Sequence, residues 1–89
     1  MKYVVFYEAV DDVATAAAPH LQAHQERLKD FHARGTLLMA GALGSPPTGA
    51  MGVFTSREAA DEFIAGDPFV TGGVVRSHRV QEWNEVLTP

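Results

Sequence analysis

Residues Lys2 to Ala9 are apolar in both alternating sets, with Tyr3, Val5 and Tyr7 on one face and Val4 and Phe6 on the other. A strand sends successive side chains to opposite faces, so this segment belongs inside a sheet and needs cover on both sides. The rest of the chain must supply that cover. Its 89 residues leave room for one core, and the reading is a single domain over residues 1–89.

Composition narrows the function classes. The chain has no cysteine, which excludes a disulfide framework, a thiolate metal site and a cysteine nucleophile. Seven basic against eleven acidic residues give a net charge of −4, too acidic to line a phosphate backbone or an anionic membrane with cations. No apolar run has the length of a membrane span, and Glu8 interrupts the first one too early for a signal peptide. The expectation is a cytoplasmic protein that binds neither nucleic acid nor membrane.

The element order reads strand, helix, strand, strand, helix, strand. Pro19 suits a first helical position, and the helix it opens runs to about Arg34, closed by Gly35. Thr36–Leu43 and Ala50–Phe54 read as strands on either side of the turn-forming stretch 44–49. Thr55-Ser56-Arg57-Glu58 matches a capping box for a helix that runs through Ala65 and stops at Gly66. Asp67-Pro68-Phe69-Val70 starts a short helical turn, and Val74 to about Val86 is a strand of mixed polarity suited to a sheet edge. On it Val75, Arg79 and Trp83 share one face, and Trp83 is expected to be at least partly buried. The pattern is a ferredoxin-like βαββαβ fold, α+β, with an antiparallel sheet and two helices on one face. Two helices leave the other face of the first strand bare, so a second copy of the chain is expected there.

On the first long helix Leu21, His24, Leu28 and Phe31 fall within a stripe roughly 80° wide at about 100° per residue. One member of this core stripe is an imidazole, which needs partners for its ring nitrogens and responds to a nearby carboxylate. A satisfied boundary histidine would look the same. His20 and His32 lie at the stripe's edges, His32 in the last turn where a cation suits the helix end. Asp67, before Pro68, has the pattern of an N-cap; one carboxylate oxygen can cap while the other accepts from an imidazole. His20 and His24 have the i, i+4 spacing of metal ligands but lack the glutamate and the third ligand of a zinc motif, so no metal is expected.

The run from His24 to Gly41 resembles the His-x-x-x-Leu…Gly-x-Leu-Leu-x-Ala-Gly signature of the YCII-related family. Ser56-Arg57-Glu58-Ala59-Ala60 and Gly66-Asp67-Pro68-Phe69-Val70 resemble its helix start and its Asp-Pro-Phe/Tyr motif. The resemblance implies a dimeric α+β barrel and a histidine-aspartate pair in a pocket, which by position is His24 and Asp67. Many relatives have arginine three residues before the histidine; here that position is Leu21, which implies a less charged ligand. The family includes a dehydrochlorinase of a chlorinated hydroxyquinol. The function expected is therefore a cofactor-independent lyase or isomerase, active by proton abstraction or elimination on a small molecule. The alternatives are a noncatalytic dimeric module that binds a small ligand and a purely structural subunit.

Overall fold

A computed structural model describes residues 1–89. In chain order it contains β1 (Lys2–Ala9), α1 (Val13–Ala17), a 3-10 turn (Ala18–His20), α2 (Leu21–Ala33), β2 (Leu37–Leu43), β3 (Gly49–Phe54), α3 (Arg57–Gly66), α4 (Pro68–Thr71) and β4 (Val75–Trp83). The strands form one antiparallel sheet in the order β2-β3-β1-β4. The two-sided apolar strand is interior, and the strand of mixed polarity is an edge, as expected.

Two helix starts differ from the sequence reading. Pro19 lies inside the 3-10 turn, and α2 begins at Leu21 rather than at the proline. The cap of α3 is Ser56, whose Oγ accepts from Ala59 N at 3.1 Å. Thr55 and Ser56 are adjacent hydroxyls, and only Ser56 puts the acceptor at the turn where the free amides point, so Glu58 falls one position short of a capping box. The end of α2 follows expectation. Gly35, at φ +81°, donates to His32 O at 3.0 Å and Thr36 donates to Phe31 O at 3.2 Å, the paired bonds of a Schellman close.

Val5 and Tyr7 of β1, with Leu37 and Phe54, meet Phe31 of α2 and Ala60, Phe63 and Ile64 of α3 in one buried cluster. Gly49 pairs with Glu8 where β3 passes β1 closely, and a side chain there would fall against the Tyr7 carbonyl.

The opposite face carries Val4 and Val53, both buried, beside Phe6 and Met51, which are half-buried. Arg79 lays its guanidinium 4.2 Å over the Phe6 ring, and Met39 is 67% exposed. A bulge at Glu8/Ala9 shifts the register of β4, so Val75 turns toward the helices while Arg79 and Trp83 face away. The three residues therefore do not share a face, because the bulge inserts an extra residue into the alternation. Trp83, opposite Lys2 on the edge strand, is 46% exposed and more open than expected.

Candidate active site

Three separate elements bring polar side chains together. Tyr7 comes from the interior strand β1, His24 from the first turn of α2, and Asp67 from the junction of α3 and α4. His24 Nδ1 lies 2.7 Å from Asp67 Oδ1, Tyr7 Oη donates to Oδ2 at 2.7 Å, and Phe69 N donates to Oδ1 at 3.1 Å. Asp67 is completely buried. It accepts from each of these groups, which assigns a proton to His24 Nδ1, so that in the neutral ring Nε2 carries the lone pair.

Asp67 is thus both the cap of α4 and the partner of the imidazole. The division of labour differs from the sequence reading: the cap amide and the imidazole share Oδ1, and Tyr7 occupies Oδ2. Pro68 at the first position of α4 fixes the turn that aims the carboxylate inward.

The His24 ring lies flat on Phe69, with centroids 3.7 Å apart and planes 5° from parallel, and meets the edge of Phe63. Stacking and hydrogen bond together fix the direction of Nε2. That atom has no partner in the chain and is not buried, and His24 lines a cavity of about 420 Å³ between the sheet and α1–α2. The rest of the wall is mostly aliphatic and aromatic, including Leu21, Leu28, Phe54 and Phe69. Behind the site Arg27 donates to the carbonyls of Glu62 and Phe63 at the end of α3, tying that end to α2.

His78 meets the Tyr7 ring edge-on, with centroids 6.5 Å apart, while the other two histidines stand apart from this cluster. His20 packs against Gly72, where a side chain would strike its ring, and His32 Nδ1 lies 2.8 Å from Leu37 O. No three His, Asp or Glu side chains converge on a point suited to a metal ion. Tyr7, Phe69 and Arg27 carry no role in the sequence reading. A tyrosine on a strand buried on both sides is itself a signal, because its hydroxyl must find a partner inside.

Burial, reinforced by the negative charge of Asp67 and the hydrogen bond to it, holds the Tyr7 phenol far above the ordinary tyrosine range. Below about pH 10 the phenol keeps its proton in both the folded and the unfolded chain. Above that, only the unfolded chain releases it, so stability falls as pH rises, by about 1.4 kcal/mol per pH unit for this group. Denaturation of wild type and Tyr7→Phe between about pH 9 and 11 should show that extra slope in the wild type alone. Parallel curves would contradict the buried neutral phenol.

The fold has a close parallel among solved structures. The 5-chloro-2-hydroxyhydroquinone dehydrochlorinase of Burkholderia phenoliruptrix AC1100, solved in complex with 2,5-dihydroxybenzoquinone, superposes with a TM-score of 0.76 at 16% identity over 94% of each chain. No curated protein matches the sequence. No helix is long and apolar enough to cross a membrane. The model of the YCII-related domain matches residues 1–84, which takes in β1, His24 of α2, the Asp67 junction and all of β4. By that match the chain belongs to the YCII-related family.

Proposed function

We propose that this chain is a small lyase or isomerase that needs no cofactor, with His24 as general base and acid and Asp67 as the group that holds the imidazole. The observation that carries the reading is the 2.7 Å contact between His24 Nδ1 and Asp67 Oδ1, which leaves Nε2 unpaired on a ring that lines an apolar cavity. Nε2 takes a proton from a carbon or oxygen acid of the bound molecule: that bond breaks, an N–H bond forms, and the electron pair moves into the adjacent unsaturated group. Return of the proton at another atom gives isomerisation. Departure of a leaving group with the electron pair gives elimination, and the imidazolium then gives its proton to solvent. The dehydrochlorinase that shares the fold is named for an elimination of this class, which supports the choice.

The test is proton exchange in deuterated water, followed by proton NMR, on a panel of small carbonyl compounds and halogenated hydroxyaromatics. At least one compound should exchange or lose halide with wild type and not with His24→Ala. Compounds that bind and never react would leave a binding module in place of an enzyme.

The same reading includes a homodimer joined through the sheet face that carries Phe6, Met39 and Met51. Burying that face would satisfy the second side of β1. Sedimentation at micromolar concentration should give twice 9.6 kDa. A monomer would refute it.

A further inference from the structure

We propose that the cavity selects molecules that enter uncharged, are largely apolar, and present one weakly acidic group to His24. The inference rests on the proposed role of His24 and adds the ligand class. At about 420 Å³ the cavity lies toward the small end of the range of about 300–1,000 Å³ typical for ligand sites. Its lining contains no lysine, arginine, aspartate or glutamate, and its only polar side chains are those of Tyr7, His24 and Gln25. The Tyr7 hydroxyl is already committed to Asp67, so it offers the ligand no donor.

An anion entering this space would lose water and meet no lysine or arginine, while the buried carboxylate of Asp67 stands directly behind the imidazole. The Arg27 guanidinium is turned onto the carbonyls of Glu62 and Phe63 and does not line the cavity. Leu21 stands in the lining with 46% of its surface exposed and adds no charge to it. Charge is therefore best created after entry. The ligand's acidic hydrogen passes to Nε2, the ligand keeps the electron pair, and the new anion faces an imidazolium already held by Asp67.

Three bicyclic probes of similar shape separate the contributions: 2-naphthol, uncharged at neutral pH; naphthalene, with no acidic hydrogen; and 2-naphthoate, an anion. Binding is measured by calorimetry, with the His24 ring signals followed by NMR. The expected order is naphthol above naphthalene and naphthol at least about tenfold above naphthoate, with His24→Ala removing the advantage of naphthol over naphthalene. Leu21→Arg should raise naphthoate affinity about tenfold, at a position open enough to accept the larger side chain. Naphthoate binding as tightly as naphthol to wild type, or failure of all three probes to bind, overturns the proposal. Binding in the expected order without any turnover in the exchange panel would retain the ligand class and reject the catalytic reading. Turnover together with a preference for naphthoate would do the opposite.

Discussion

Asp67→Ala is expected to destabilise the fold by about 2–4 kcal/mol, the combined cost of an orphaned core hydroxyl and a lost helix cap. The carboxylate is completely buried and receives Tyr7 Oη, His24 Nδ1 and Phe69 N. Alanine leaves the Tyr7 hydroxyl in the core without an acceptor, at about 1–3 kcal/mol, and strips α4 of its cap, at about 1 kcal/mol. Relief of the buried charge offsets part of this. A chain of this length has a total stability of about 4 to 13 kcal/mol, so the variant sits near the edge of folding. The melting temperature should fall by about 15–30 °C, and the urea midpoint should fall with it. An unchanged midpoint would mean that these bonds contribute nothing net.

His24→Ala should separate chemistry from folding. Turnover of any substrate found by the exchange panel should drop about 10²- to 10⁴-fold, the usual range for a lost general acid-base group. Stability should drop by no more than about 3 kcal/mol, since Asp67 keeps Tyr7 and Phe69 as donors and only a partly exposed ring leaves its stack on Phe69. Asp67→Asn is the informative partner to this variant. With its oxygen in the place of Oδ1, the amide can still accept from His24 Nδ1 and Phe69 N, and its NH2 can donate to the Tyr7 oxygen. The tautomer survives and the charge is lost, so the rate should fall less than in His24→Ala. A rate unchanged in His24→Ala would remove the imidazole from the mechanism.

The path from sequence to site was uneven for physical reasons. The interior position of β1 followed from its two apolar faces, and the close of α2 from Gly35, because both signals are local. Helix starts were less legible: two adjacent hydroxyls compete to cap α3, and a proline can sit as well in a 3-10 turn as at the head of α2. Alternation along β4 failed at a bulge, which depends on what β1 does across the sheet and has no mark in the strand itself. Spacing alone gave His24 a place in a stripe and Asp67 a place before a proline. Their meeting, 43 residues apart in sequence, came from the resemblance, and the geometry brings them to hydrogen-bond distance. The Tyr7 hydroxyl, 60 residues from its acceptor, had only the requirement that a buried donor be satisfied somewhere.

The triple use of Asp67 bears on how such a site changes over generations. A carboxylate that caps a helix and accepts a core tyrosine is retained by selection for foldedness, whatever becomes of the reaction. The imidazole has no comparable hold, because its loss leaves the carboxylate with two donors. A lineage that abandons catalysis is then expected to shed the histidine first and keep the aspartate as a relic. In descendants of this chain the aspartate would mark ancestry, and the histidine would mark continued use.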